Sequence, residues 1–294
     1  MSFDLYFCRE NGSAPSTASL KEYFSAVPFF KVSESDDGEM QFLYENQATG
    51  VYCYFSYSPS DATELEGCGS SGLAFNLNFI RPSFFAYETM PLVEAFGRHF
   101  DLLVEDVQED TRESANAERL IASWRAHNSR GVTALAGERD DPVELLYLPE
   151  GRATEWWRYM SVRQAIEDSL VEDLFVPSLV ILRSPAGELS TMIVHPQGIA
   201  QLFPACDRVY MNRKKKTLFR TVEEAGFVSY QSMIETINSL LDDYEFGELK
   251  VKYLRPENAQ KAAQLVQSLK LDSVDLGQYS QVASDRFHDV ALRH

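Results

Sequence analysis

The sequence predicts an α+β protein of two domains, each a mostly antiparallel sheet covered by helices. Short aromatic and β-branched runs alternate along the chain with amphipathic stretches of helical period. The chain has 294 residues, which exceeds the size at which one hydrophobic core usually stops growing. Apolar residues make up 45% of it, with 19 Phe and 14 Tyr, so it has the material for folded cores.

The first domain is predicted to span residues 1–110 in the order β-α-β-β-β-α-β. Its clearest strand is LAFNLNFI at 73–80, where every second residue is apolar and shares one face. Its clearest turn is NQATG, where Gly50 is able to adopt a positive φ between two aromatic runs. The other predicted elements are a strand at 3–8, a helix at 17–27 capped by Ser16 or Thr17, a hairpin of 40–45 and 50–57, a loop at 59–72, a helix at 83–99 and a strand at 101–105.

A helix and a linker are predicted to join the domains at residues 111–142. The helix, at 111–128, brings Leu120 and Trp124 onto one face. The linker is the charged, glycine-containing stretch at 131–141.

The second domain is predicted to occupy residues 143–294. Ser-Pro-Ala-Gly between two apolar runs predicts a hairpin, and the basic run RKKK at 213–216 follows a strand and is predicted to be a loop. Trp156 and Trp157 on one helix point about 100° apart, so core packing of one leaves the other for a groove or an interface. The predicted elements are strands at 143–148, 176–183, 189–196, 207–212 and 249–254, and helices at 153–170, 230–241 and 257–269.

A strand, an Arg-Pro pair and a helix occur in the same order at 78–102 and at 252–273. One explanation is duplication of an α+β unit, in which case both would occupy equivalent places in two sheets. The other is that Arg-Pro often ends a strand and begins a helix.

Charge is distributed unevenly along the chain. Of the net charge of −17, −13 lies in residues 1–110, which hold 18 Asp and Glu against 5 Lys and Arg, whereas residues 151–294 hold 19 against 17. An acidic surface attracts a basic protein and repels nucleic acid and anionic membranes. We therefore expect a basic protein partner, and neither a nucleic acid nor a membrane. The candidate partner-binding residues are the carboxylates of three acidic clusters: Asp36, Asp37 and Glu39; Glu64 and Glu66; Glu105, Asp106, Glu109 and Asp110.

Each acidic cluster also has a simpler interpretation, which is a solvated surface that keeps the protein soluble. The run Asp-Asp-Gly-Glu at 36–39 resembles part of a calcium loop, but the full twelve-residue pattern is missing.

No familiar catalytic or cofactor motif is present in the sequence. The five histidines form neither H-E-x-x-H nor a triad order with a G-x-S-x-G elbow, and Gly-Ser-Ser-Gly at 69–72 precedes a strand rather than a helix. Cys8, Cys53, Cys68 and Cys206 lack metal-ligand spacing, and the first two lie in apolar runs typical of buried, reduced thiols. We expect no metal and no cofactor.

The first residues, MSFDLYFCRENG, lack the basic and apolar regions of a signal peptide. No run of 18 apolar residues occurs. These observations predict a cytoplasmic protein.

The opening FDLYF, the hairpin of aromatic strands and the unit FNLNFIRPSFFAYETMPLVEAF resemble bacterial immunity proteins encoded beside polymorphic or secreted toxins. The resemblance covers residues 1–105. It implies an acidic α/β or α+β protein that binds a cognate toxin domain, often a nuclease or another basic enzyme, and blocks it by steric occlusion.

Two other function classes remain open from the sequence. One is an enzyme with a nonstandard site at the domain interface, involving Arg81, Arg255, His195 or the two tryptophans. The other is a regulatory scaffold protein without a toxin partner.

Overall fold

The structure of the protein is a computed structural model that describes residues 1–9, 14–62, 69–137, 144–170, 174–216 and 221–292. Its helices and mostly antiparallel sheets confirm the predicted α+β class. Over the described ranges, no helix combines the length and the apolar character needed to cross a membrane.

Contacts divide the chain into two compact units. Unit 1 comprises Met1–Leu145 and Ser284–His294, and unit 2 comprises Leu146–Ala283. The predicted ranges were 1–110, 111–142 and 143–294. In the structure, residues 111–142 belong to unit 1, and so do residues 284–294. Unit 2 is therefore inserted, in sequence, into unit 1.

Unit 1 contains a seven-stranded sheet. Its strands are β1 (Ser2–Arg9), β2 (Phe30–Glu34), β3 (Met40–Asn46), β4 (Val51–Ala62), β5 (Gly69–Asn78), β6 (Leu103–Asp106) and β7 (Thr111–Ser114). They lie in the order β2-β3-β4-β5-β1-β6-β7, and every neighbouring pair is antiparallel. The predicted hairpin of β3 and β4 is present, and Gly50 in its turn has φ +66°.

One face of this sheet is a core of aromatic rings. Phe7, Phe55 and Phe75 are fully buried, and they lie on the alternate positions that turn toward the helices. Phe24 and Phe96 from the helices complete the cluster, in which the centroids of neighbouring rings lie 4.9–6.0 Å apart. Burial of each ring stabilises the fold by about 1.5–3 kcal/mol.

Three helices cover that face: α1 (Thr17–Ala26), α2 (Phe84–Phe100) and α3 (Ala117–Gly137). Of the two predicted caps of α1, the structure uses Ser16, whose Oγ accepts a hydrogen bond from the backbone N of Ser19 at 3.2 Å.

The prediction of a helix from residue 111 was wrong at its start. Residues 111–114 form β7, because a turn containing Asp110 at φ +52° reverses the chain after β6. Glu105 and Arg112 then face each other across the two strands, with Oε2 and Nη2 3.0 Å apart.

The prediction of a linker at 131–141 was also wrong for its described part, since α3 continues to Gly137. Trp124, Asn128 and Val132 are buried at intervals of four residues, so the apolar stripe extends one turn beyond the predicted end. The Asn128 side chain also holds the end of β5, accepting from the backbone N of Ile80 at 2.6 Å.

Unit 2 contains two further sheets. Its strands are β8 (Leu146–Tyr147), β9 (Val180–Arg183), β10 (Leu189–Pro196), β11 (Gln201–Phe203), β12 (Arg208–Lys216), β13 (Thr221–Ser229), β14 (Leu241–Phe246), β15 (Leu249–Leu254) and β16 (Ser280–Gln281). One sheet has the order β13-β12-β10-β9-β16 and the other β11-β15-β14. Neighbours in them are antiparallel except β10 and β12, which are parallel.

The helices of unit 2 are α4 (Glu150–Ser169), α5 (Tyr230–Ile237) and α6 (Ala259–Leu265). The predicted helices at 230–241 and 257–269 are thus shorter as α-helices, and 3₁₀ turns flank them. These turns span Asn238–Leu240, Pro256–Asn258 and Val266–Ser268, and another spans Leu276–Gln278.

The predicted loop at 213–216 is instead part of β12, and its first residue is buried. The Arg213 guanidinium binds Glu224 Oε2 through Nε at 2.9 Å and Nη2 at 2.7 Å. It also donates to the backbone oxygens of Val266 at 2.5 Å and Leu269 at 2.7 Å. A cation suits this place because carbonyl groups at the end of a helical segment lack partners of their own.

The strands of the two strand–Arg-Pro–helix segments have equivalent places, since each is the central strand of its sheet and antiparallel to both neighbours, but the sheets and the helices differ in size. The first consists of β5, fourth in the seven-stranded sheet, and the 17-residue α2. The second consists of β15, the middle strand of three, and the seven-residue α6. Their likeness is therefore limited to a central strand that an Arg-Pro pair follows before the next helical segment.

The C-terminal segment, which contains β17 (Phe287–His288), packs on unit 1. Phe287 is buried with its ring centroid 6.3 Å from that of Phe84. Asp289 accepts from the backbone N of Ser83 at 2.7 Å and from its Oγ at 3.1 Å. Because Ser83 precedes the first turn of α2, this carboxylate caps the positive end of that helix.

Candidate functional site

The first predicted acidic cluster lies in the turn between β2 and β3. Gly38 has φ +79° and donates its backbone N–H to Ser35, which closes a tight turn. Asp36, Asp37 and Glu39 are exposed around it, and within the described chain no cation pairs with any of them. Their carboxylates are therefore open to a partner.

The third predicted cluster lies in the turn between β6 and β7, and its members have unequal roles. Asp106 is buried; its Oδ2 accepts from Ser123 Oγ at 2.7 Å and its Oδ1 from the backbone N of Gln108 at 3.0 Å. Glu109 lies 3.6 Å from the Nδ1 of His127. Asp106 thus connects the turn to α3, and its carboxylate is too buried to contact a partner.

The remaining members of that cluster lie on the surface. Glu105 is paired with Arg112, whereas Asp110 is exposed and has no cationic partner among the residues that the structure places. Glu64 and Glu66, the second predicted cluster, lie outside the described residues.

The two described clusters lie at opposite corners of the sheet. The turn of β2 and β3 is at one edge, and the turn of β6 and β7 is at the other, at the opposite ends of the strands. With strands about 4.8 Å apart, the clusters are separated by roughly 20–30 Å. The structure therefore does not bring the predicted carboxylates into one contact patch.

Between these corners lies the side of the sheet that no helix of unit 1 covers, which we call the open face. Two rows of side chains cross it. In one row Leu43, Tyr54, Asn76 and Asp4 stand opposite one another on β3, β4, β5 and β1. The next row consists of Gln41, Ser56, Ala74, Tyr6 and Glu105.

Asp4 is the charged residue at the centre of the open face. Its Oδ1 accepts from Asn76 Nδ2 at 2.5 Å and its Oδ2 from Ser2 Oγ at 2.8 Å. In the described part of the chain it has no cation beside it. Burial, with the Asp4 charge as a smaller contribution, raises the pKa of Tyr54, so that phenol stays neutral near pH 7. Tyr6 has 46% of its surface exposed.

A pocket of about 340 Å³ lies between the β6–β7 turn and α3. It contains the predicted residues Asp106 and Glu109 together with Glu113 and Arg119, and the last two form an ion pair. Its charged groups therefore largely satisfy one another within the fold.

A second concave region, of about 620 Å³, lies in unit 2 between α4 and the β14–β15 turn. Trp157 contributes to its wall, whereas the neighbouring Trp156 is buried and donates Nε1–H to the backbone oxygen of Leu179 at 2.7 Å. The tryptophan pair is thus divided between core and groove. Arg158 and Glu248 place charges of both signs at its edge.

His195 is a buried residue of unit 2 rather than an accessible base. Its Nδ1 lies 2.9 Å from Gln201 Oε1, and its ring packs on Phe203 with the two ring centroids 5.4 Å apart. Burial lowers its pKa, with the Gln201 hydrogen bond acting in the opposite direction. Among the residues described, no group of three His, Cys, Asp or Glu side chains could hold a metal ion.

The cysteines also belong to the core. Cys8, Cys53 and Cys206 are buried, as expected for the first two, and burial raises the pKa of the Cys206 thiol to about 12. Cys68 lies outside the described residues.

No protein-family model, curated protein or solved structure matches this chain. Asp4, Tyr6 and Tyr54 are not among the partner-binding residues predicted from the sequence, although their alternation with buried residues, mostly Phe and Leu, indicates a solvent-facing side of each strand.

Proposed function

We propose that this protein is a cytoplasmic immunity protein, which binds a basic toxin domain and blocks it by occlusion. The observation that supports this most strongly is a set of carboxylates on unit 1 that have no cationic partner among the described residues. They lie at one corner of the sheet, at the opposite corner and on the open face between them: Asp36, Asp37, Glu39, Asp110 and Asp4.

The spacing of these carboxylates suits a partner of domain size. A domain of about 100 residues has a radius of gyration of about 13 Å, so it spans the open face and approaches both corners. Charges at the corners are beyond one Debye length of each other, about 8 Å at physiological ionic strength, and act separately on the incoming surface. They increase the association rate and orient a basic partner, and the open face between them supplies contact area.

The test is co-expression with a toxic neighbour. The C-terminal domain encoded directly upstream of the gene for this chain is expressed in bacteria with and without this protein. We expect growth arrest by that domain alone, rescue by co-expression, and a complex that co-purifies. Failure of this protein both to restore growth and to bind the domain would contradict the proposal.

A charge-matched pair of variants sharpens this test. Asp36→Asn, Asp37→Asn and Glu39→Gln together remove three charges from one corner of unit 1. Asp168→Asn, Glu188→Gln and Glu248→Gln remove three exposed charges from unit 2. The first set should weaken binding and the second should not. Since both sets change the net charge by the same amount, such a difference would show that the position of the carboxylates on unit 1 matters.

A further inference from the structure

We infer that the open face binds an arginine side chain of a basic protein partner, with the guanidinium on Asp4 and beside the rings of Tyr6 and Tyr54. This inference rests on the proposed function for the identity of the partner. The binding of an arginine side chain depends only on the residues of the open face.

The Asp4 carboxylate is held in place before any partner arrives. Ser2 donates to one of its oxygens at 2.8 Å and Asn76 to the other at 2.5 Å. Each carboxylate oxygen accepts two hydrogen bonds, so one position remains on each. A guanidinium donates two parallel N–H groups and fits that arrangement, whereas an ammonium acts as a point charge.

The tyrosines provide aromatic surface on two sides of this carboxylate. Tyr54 lies in the same row as Asp4, two strands away across Asn76. Tyr6 follows Asp4 by two residues on β1 and therefore projects from the same face. Ala74 is the direct neighbour of Tyr6 on β5, and its small side chain leaves room beside the ring. Cations bind favourably over aromatic faces, and guanidinium groups do so most often.

Charge selects this occupant over a second copy of the chain. A twofold dimer with its axis near Asp4 would bring two Asp4 carboxylates toward each other in an acidic unit, which is unfavourable. A basic surface instead neutralises Asp4, which has no cation of its own in the described structure.

The experiment uses the full chain with ¹³C-labelled tyrosine and the capped peptide Gly-Arg-Gly. Peptides with citrulline or lysine in place of arginine are the comparisons. We expect the ring signals of Tyr6 and Tyr54 to shift with the arginine peptide, less with lysine and not with neutral citrulline. Equal shifts with citrulline, or no shift of either ring, would overturn the inference.

Two variants with the same change of charge separate the site from general attraction. Asp4→Asn should weaken peptide binding by about fivefold or more, since a charge-assisted pair is lost. Asp168→Asn removes an exposed carboxylate that also accepts from an amide, Gln164 Nε2 at 2.9 Å, and should leave binding unchanged. Equal weakening by both variants would assign the effect to net charge and overturn the site.

A second pair tests the aromatic contribution and the folding of the variants. Tyr6→Ser should weaken binding, whereas Tyr147→Ser, at a tyrosine 41% exposed in unit 2, should not. Tyr54→Phe keeps the ring and should bind as the parent does. Sedimentation of the parent protein should give a monomer, and a dimer that Tyr6→Ser dissociates would assign the face to a second copy and overturn the inference.

These outcomes are independent of the toxin test. Peptide binding without growth rescue would retain the arginine site and reject the immunity role. Rescue without peptide binding would retain the immunity role and reject the arginine site.

Discussion

The two described acidic turns of unit 1 are similarly rich in carboxylates but have different roles. In the β2–β3 turn, Asp36, Asp37 and Glu39 are exposed and have no cationic partner in the described structure. In the β6–β7 turn, Asp106 is buried and bonded to Ser123 and to the backbone of Gln108. A carboxylate whose oxygens accept hydrogen bonds within the fold is less able to bind a partner. The number of Asp and Glu residues in the sequence therefore overestimates the surface available for docking.

The largest effect should come from the carboxylate that the fold uses. Asp106→Ala leaves the Ser123 hydroxyl and the turn backbone without their acceptor, and should lower the free energy of unfolding by about 2–3 kcal/mol. Urea unfolding measures the loss. Asp37→Ala serves as the control and should stay within about 0.5 kcal/mol of the parent. A similar loss in both variants would remove the distinction between the turns.

A second carboxylate used by the fold should have a somewhat smaller effect. Asp289→Ala removes the cap from the first turn of α2 and should cost about 1–2 kcal/mol, within the range for helix caps. The backbone amide of Ser83 should then exchange with solvent faster. Unchanged exchange at Ser83, together with unchanged stability, would mean that the cap is dispensable.

The free carboxylates should affect kinetics instead of stability. With the toxin domain from the growth test, Asp36→Asn, Asp37→Asn and Glu39→Gln together should slow association about three- to tenfold and make it less sensitive to salt. Stopped-flow mixing at several salt concentrations measures this rate. We expect less slowing from Glu105→Gln with Glu109→Gln, because both groups already have partners. An association rate that neither set changes, and that salt does not change, would make both turns solubility features.

The smallest effect should come from the exposed ion pair next to the buried carboxylate. Arg112→Ala breaks the pair with Glu105 and should change the free energy of unfolding by at most about 0.5 kcal/mol, since exposed pairs are well solvated. A loss as large as that for Asp106→Ala would show that the strand pair depends on this contact.

Local patterns in the sequence predict much of unit 1. Alternation in β1 and β5, the turn glycine at Gly50 and the Ser16 cap all appear in the structure because neighbouring residues determine them. The same alternation places Asp106 on the buried side with Val104, so its internal role could have been inferred.

The rest depends on contacts between distant parts of the chain. β1 pairs with β5 and β6, and only that arrangement places Asp4 beside Asn76. The burial of Arg213 depends on carbonyl groups more than 50 residues further along. In both cases the partner is fixed by the folded topology, which no local pattern of residues encodes.

The capping of α2 by Asp289 also sets the order of events during synthesis. Residues 1–145 are translated before unit 2, whereas Phe287 and Asp289, which are buried against them, follow unit 2 in the chain. Unit 1 therefore cannot gain these contacts until residues 146–283, which form unit 2, have been synthesised. A fragment that ends at residue 145 would lack the contacts of Phe287 and Asp289, so expression of unit 1 alone would require residues 284–294 to be joined to it.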